Sequence, residues 1–259
     1  MNRIKRLFKR LRRDERCGVI AYVTCGDPDR ESTPHIVAAL AEAGADAIEL
    51  GVPFSDPIAD GPVIQAASQR ALERGTTIHD VFKIARTVRQ TSEVPLIAFS
   101  YLNPILRYGV TRFAAEAVEA GIDGVLLTDL PPEAADDTFK RAGLATVFLL
   151  APTSSDKRIA AVDRASDGFV YYVSTTGVTG ARSELDPALL GRLAEVRAKL
   201  RKPLAVGFGI SRHEHYVALR EQCDAIVVGS AIVRAVAAGD PSAAPQRAAA
   251  VVRSILGTS

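Results

Sequence analysis

Short apolar runs rich in Val, Ile, Leu and Ala recur along the chain at 19–24, 45–50, 96–100, 124–128, 146–150, 169–174, 204–208 and 225–228. Their length and bounding turn residues predict strands. Between them the apolar positions spread to a spacing of three to four, as over 34–43, 111–120, 155–165 and 187–200, which predicts helices with one buried face. Eight strand–helix units in a chain of this length predict an α/β fold, a (β/α)8 barrel of the TIM-barrel class, as a single domain over 1–259. An open doubly wound sheet also alternates strands and helices. It is disfavoured because Cys25-Gly26-Asp27-Pro28 follows the first strand, where a dinucleotide fold needs a glycine-rich loop.

The units are uneven. An extra segment separates the second and third strands: a proline-rich loop and two helical patterns, 62–74 and 78–91. Residues 175–186 lengthen the connection after the sixth strand. Barrels of this class carry function on the loops that follow strands, so chemistry is expected on these two. The Ala-rich stretch 235–250 reads as part of the last helices, broken at Gly239-Asp240-Pro241. Residues 1–16 read as a basic amphipathic helix, with Ile4, Leu7, Phe8 and Leu11 on one face. The favoured reading is a surface helix covering one end of the domain; a membrane-surface helix and a transit peptide share its composition. The first strand starts near Gly18, which leaves little room for a removable leader, and no run is long and apolar enough to span a membrane.

Charge adds little beyond this helix. The net charge of +2 gives no push toward nucleic acid, and eight of the 32 basic residues lie within the first sixteen positions. Cys17, Cys25 and Cys223 are isolated and odd in number, which fits a reducing cytoplasm and no metal or redox motif. His213 and His215 stand two apart on a helical pattern and point in different directions.

The loop after the second strand carries the densest chemistry. Residues 48–62 read IELGVPFSDPIADGP. Pro53, Pro57 and Pro62 stiffen the loop, and Glu49 and Asp60 stand at its two ends. A carboxylate pair in unlike environments suits acid–base work. Strand alternation puts Glu49 on one face with Ala45 and Ala47, which suggests a pocket in the barrel mouth. Glu49 also admits the reading of a salt-bridged rim residue. Asp60 before Gly-Pro, and Ser55-Asp56-Pro57, also fit ordinary turns. Tyr171 and Tyr172 alternate, so one faces inward; Tyr101, Asn103 and Asp129 follow the third and fourth strands.

Three glycine clusters follow the sixth, seventh and eighth strands: Gly177-Val178-Thr179-Gly180, 207–211 (GFGIS) and Gly229-Ser230. Backbone N–H groups unshielded by side chains, with Ser211 and Ser230 as helix caps, predict a phosphate site there and a phosphorylated small molecule as its occupant.

A glutamate ending a strand, then PFSDP, then ADGP, resembles the signature of tryptophan synthase alpha chains, and the similarity runs through nearly all of the chain. The resemblance implies retro-aldol cleavage of indole-3-glycerol phosphate to indole and glyceraldehyde 3-phosphate. It implies Glu49 as the acid–base group, Asp60 as acceptor of the indole N–H, and Tyr171 as the active-site tyrosine. Gly180, Gly209, Gly229 and Ser230 match phosphate binders, and Thr179 a mobile sixth loop. Tyr22 and Phe99 match pocket positions where Phe and an aliphatic residue are familiar. No metal or organic cofactor is implied. The implied partner is a beta chain carrying pyridoxal phosphate, in an alpha2–beta2 heterotetramer, with Pro53, Ser55, Asp56, Pro57, Tyr101 and Asn103 at the contact. A free-standing lyase, a barrel that only binds, and another phosphate-barrel enzyme such as an isomerase are the competing readings.

Overall fold

The computed structural model describes residues 2–173, 187–207 and 209–258. Its first half runs α1 (Arg3–Arg13), β1 (Gly18–Thr24), α2 (Ser32–Glu42), β2 (Ala47–Gly51), α3 (Pro62–Glu73), α4 (Ile78–Arg89), β3 (Leu96–Ser100), α5 (Leu102–Tyr108), α6 (Val110–Glu119) and β4 (Gly124–Leu127). The second half runs α7 (Thr138–Ala142), β5 (Ala145–Leu150), α8 (Asp156–Ala165), β6 (Val170–Val173), α9 (Pro187–Lys199), β7 (Leu204–Gly207), α10 (His213–Leu219), β8 (Ala225–Val228), α11 (Ser230–Ala237) and α12 (Ala244–Leu256). The strands are parallel and close in sequence order, β1 pairing with both β2 and β8. This is the (β/α)8 barrel that the eight units predict. The long connection after β6 lies outside the described residues.

Alternation along each strand divides the core in two. Val19, Ala21, Ile48, Leu50, Val206 and Val228 point outward, into a cluster with Ile36, Leu40 and other helix residues. Ile20, Ala47, Ile97, Leu126, Phe169 and Val227 point inward. The inward set is completed by α1, whose Ile4, Leu7, Phe8 and Leu11 are buried in it. The basic helix therefore plugs the end of the barrel where the strands start. Its apolar face lies in the protein core, which leaves that face no membrane to meet.

Aspartates at the feet of the strands latch this end. Asp46, Asp123 and Asp224 directly precede β2, β4 and β8. Their carboxylates accept from the backbone N–H groups of Val19 (3.0 Å), Leu96 (3.0 Å) and Leu204 (2.7 Å) on the neighbouring strand. Each also pairs with arginine: Asp46 with Arg10 and Arg16, Asp123 with Arg3 and Arg89, Asp224 with Arg197. Asp167 below β6 pairs with Lys5. The α1 helix thus sends Arg3, Lys5 and Arg10 to three of these four carboxylates.

Two local readings are corrected. Ala45 packs in the outer cluster and not beside Ala47. Its N–H donates to the Leu40 carbonyl, so it belongs to the turn leaving α2, and the strand starts at Ala47. Helix α2 starts at Ser32, ahead of the proline at 34. The Ala-rich tail breaks where expected: α11 ends at Ala237 and a 3-10 turn at Pro241–Ala243 leads into α12. Among the described residues no helix is long and apolar enough to cross a membrane, and no group of three His, Cys, Asp or Glu side chains is placed to hold a metal.

Candidate active site

Glu49 points into the barrel from the middle of β2, in register with Tyr22 on β1 and Ile97 on β3. It is 1% exposed, and among the described residues neither carboxylate oxygen has a hydrogen-bond partner. An unpaired carboxylate withdrawn from water resists ionising. Burial accordingly pushes its pKa up to about 8. Among the described residues no salt bridge to Glu49 forms, so the rim reading finds no partner there.

Asp60 lies across the mouth, two residues before α3. Burial pushes its carboxyl up to about 6, with the Tyr101 hydroxyl acting in the opposite direction. The two carboxyls thus hold different affinities for a proton.

Two tyrosines complete the wall. Tyr171 faces inward and Tyr172 outward. The Tyr171 hydroxyl lies over Gly207, where an added Cβ would stand 2.3 Å from it; Tyr22 lies likewise over Gly51, at 2.2 Å. Glycine at these two strand ends is what lets phenol rings lean across the mouth. Burial raises both phenols well above their usual value, and the nearby charges of Glu49 and Asp60 raise them further. Phe99 meets Tyr22 edge-on, centroids 5.2 Å apart.

On the phosphate side, Gly209 takes a positive φ of 40°. Gly229 is the cap of α11, and Ser230 its first residue. Ser230 is therefore not the cap that the sequence suggests, because glycine already occupies that position. Ser211 is not a cap either: Arg212 holds that place for α10, and the Ser211 N–H donates to His215 Nδ1. A Cβ on Gly229 would lie 3.6 Å from Tyr22 and 3.7 Å from Ile64, so this cluster borders the aromatic wall. Gly180 and Thr179 lie outside the described residues.

The acidic loop turns its other side outward. Pro53 is buried and Pro57 half-buried, while Ser55 and Asp56 are exposed and hydrogen-bonded to each other. The Ala59 N–H donates to the Tyr101 hydroxyl at 2.9 Å, and Phe54 packs on the Tyr101 ring. Asn103 is exposed on α5, and Asp129 braces that helix by accepting from the Leu102 N–H. A cleft of about 510 Å³ opens between this loop and α3. Ile58, 87% exposed on its edge, was missed from sequence, although an isoleucine between Pro57 and Ala59 in a polar loop is the signal.

The family model for the tryptophan synthase alpha chain matches residues 8–255. The chain belongs to the tryptophan synthase alpha chain family. The alpha chain of Solibacter usitatus is 56% identical over 247 residues, covering 94% of this chain and 92% of that one. That of Burkholderia lata is 46% identical over 260 residues, covering 99% and 94%. The crystal structure of the alpha subunit from Legionella pneumophila superposes with a TM-score of 0.90 at 38% identity, covering 98% of this chain and 97% of that one. A chain of the Pyrococcus furiosus tryptophan synthase a2b2 complex superposes with a TM-score of 0.89 at 41% identity, covering 93% and 98%.

Proposed function

We propose that Glu49 and Asp60 carry the alpha reaction of tryptophan synthase in this chain. As an alpha subunit the protein is a lyase of tryptophan biosynthesis. It cleaves indole-3-glycerol phosphate to indole and glyceraldehyde 3-phosphate, and the indole passes to the beta subunit of an a2b2 complex. Protonated Glu49 delivers its proton to indole C3. The positive charge that develops on the ring is met by ionised Asp60, which accepts the indole N–H. The Glu49 carboxylate then takes the proton of the glycerol hydroxyl next to the ring. As the aldehyde C=O forms, the carbon–carbon bond breaks and its electrons return to the ring as free indole. One carboxyl serves as acid and then base, so proton number balances.

The observation that carries this reading is the buried, unpaired Glu49 with a carboxyl raised to about 8, opposite Asp60 at about 6. Between these values Glu49 keeps its proton and Asp60 has lost its own, the combination the first step needs. Gly209, Gly229 and Ser230 are assigned to the substrate phosphate, Tyr171 to the catalytic wall, and Tyr22 and Phe99 to the indole pocket. Pro53, Ser55, Asp56, Pro57, Tyr101 and Asn103 are assigned to the beta-chain contact. Proton transfers account for the cleavage, so the site is assigned no metal or organic cofactor, and pyridoxal phosphate belongs to the beta chain. Three free thiols fit a reducing cytoplasm.

The test is indole release from indole-3-glycerol phosphate by the purified chain, with and without a tryptophan synthase beta chain. Slow release that rises strongly with the partner is expected, with a bell-shaped pH profile whose limbs fall near 6 and 8. Fast release by the chain alone would instead make it a free-standing lyase.

A further inference from the structure

Helix α3 touches several parts of this site. Asp60 lies just before its first residue, and Gln65 Nε2 donates back to the Asp60 carbonyl at 2.8 Å. Val63, Ile64 and Ala67 pack with Tyr22, and Ile64 also borders Gly229. The far end of the helix is held by charge. Arg70 donates from Nε to Asp27 Oδ1 at 2.8 Å and from a terminal nitrogen to Asp27 Oδ2 at 2.7 Å. Asp27 is buried in the loop after β1. That loop is itself braced, the Gly26 N–H donating to Thr33 Oγ1 and the Thr33 hydroxyl to the Asp29 carbonyl. Gly26, with φ of 84°, presses so close to the turn after α3 that a Cβ would stand 2.1 Å from Thr76 Oγ1. A two-pronged pairing fixes orientation as well as distance, which a single point charge does not. The acidic loop is tied at one side to Tyr101, through the Ala59 N–H and the Phe54 ring, and at the other to α3, through Gln65 and its own chain, so the seat of α3 is one of the two anchors that place it.

We propose that the Asp27–Arg70 pair is a positioning device for the active site, setting the seat of α3 and through it the place of Asp60 opposite Glu49. Both residues act through the helix, from outside the carboxylate pair. The inference rests on the reading of Glu49 and Asp60 given above. Loosening α3 lets water reach the Asp60 carboxyl, which also faces Tyr22 on β1, Tyr101 after β3 and Tyr171 on β6. Its affinity for a proton then falls toward that of an ordinary aspartate.

The test compares Arg70→Met, Arg70→Lys, Asp27→Asn and Glu49→Gln in the full chain with its beta partner, recording kcat, KM, pH profile and thermal unfolding for each. Arg70→Met and Asp27→Asn are expected to lower kcat roughly 10- to 100-fold, as misplacement of a catalytic group does. KM is expected to change less, and the acid limb of the profile to move to lower pH. Arg70→Lys keeps the charge without the fork, and is expected to stay folded and recover part of kcat. Should the Arg70 variants lose thermal stability alone, with kcat and the acid limb unmoved, the pair only holds the fold and the proposal is overturned. Cleavage at the parental rate by Glu49→Gln would overturn the site reading itself, and this inference with it; a dead Glu49→Gln beside unaffected Arg70 variants overturns this inference alone.

Discussion

The two ends of the barrel bury carboxylates to the same degree and treat them in opposite ways. At the foot of the strands, Asp46 and Asp123 are 6% and 5% exposed. Each accepts a backbone N–H and pairs with two arginines. At the mouth, Glu49 is 1% exposed and has no partner among the described residues. The paired carboxylates fasten the plug helix α1 to the barrel. The unpaired one keeps its proton instead. Burial alone therefore does not mark a functional acid; burial without a partner does, because it leaves the proton free to move.

This contrast is broken most directly by removing one carboxylate from each end. Glu49→Gln is expected to lower indole release in the presence of a beta chain by roughly 10²- to 10⁴-fold, the share of proton transfer in catalysis, while the protein stays folded. A loss below tenfold would make Glu49 a packing residue. Asp123→Ala is expected to do the reverse. It leaves Arg89 with its charge unmatched and the Leu96 N–H without an acceptor, at a cost on the order of 3–5 kcal/mol in urea unfolding. Turnover per folded molecule should not change, since the site lies at the far end of the barrel.

The pH dependence of stability sharpens the same point. The folded-state pKa of Glu49 lies above its ordinary value of 4.5, at about 8. The native state therefore holds a proton that the unfolded chain has released across this window. Stability from this group is full below pH 4.5, falls by about 1.4 kcal/mol per unit as pH rises toward 8, and is level beyond. Glu49→Gln removes this slope. Denaturant unfolding of parent and variant from pH 5 to pH 9 should show the variant gaining on the parent up to about pH 8 and the difference level beyond, and parallel curves throughout would mean that Glu49 is ionised in the native state.

The sequence reveals these two ends unequally. Glu49 stands out because a carboxylate ending an apolar strand has no local explanation. Asp60 does not stand out by itself: before Gly-Pro it is an ordinary turn residue, and only tertiary burial beside Tyr101 raises its carboxyl. The foot aspartates escaped notice although their words repeat as ADAIEL, IDGVLL, SDGFVYY and CDAIVV. An aspartate before a strand reads as a turn, and its arginine can lie far away in the chain, as Arg3 does from Asp123. The strands themselves were plain, since short apolar runs between turns need no distant partner to be recognised. Strand edges and helix caps were less so. Ala45 and Ser230 were each misplaced because a neighbouring turn or glycine, not the residue's own preference, decides where an element starts.

Tyr22 gives the smallest effect and the finest test of the contrast. The family resemblance leads one to expect phenylalanine there, and among the described residues its hydroxyl has one long hydrogen bond, accepted from Thr24 Oγ1 at 3.4 Å. The ring, not the hydroxyl, does the packing: it meets Phe99 edge-on and lies against Ala67 and Val233. Tyr22→Phe keeps every one of those contacts and removes a buried polar group that is weakly satisfied, so stability should shift by less than about 1 kcal/mol, in either direction. KM for indole-3-glycerol phosphate should move modestly, and kcat should hold, because Glu49 and Asp60 between them supply both proton transfers and the charge on the ring. A tenfold fall in kcat with the acid limb of the pH profile unmoved would show that the phenol proton takes part in the chemistry. The mouth of the barrel would then hold three proton-bearing groups, and the contrast with the paired carboxylates at its foot would have to include a phenol.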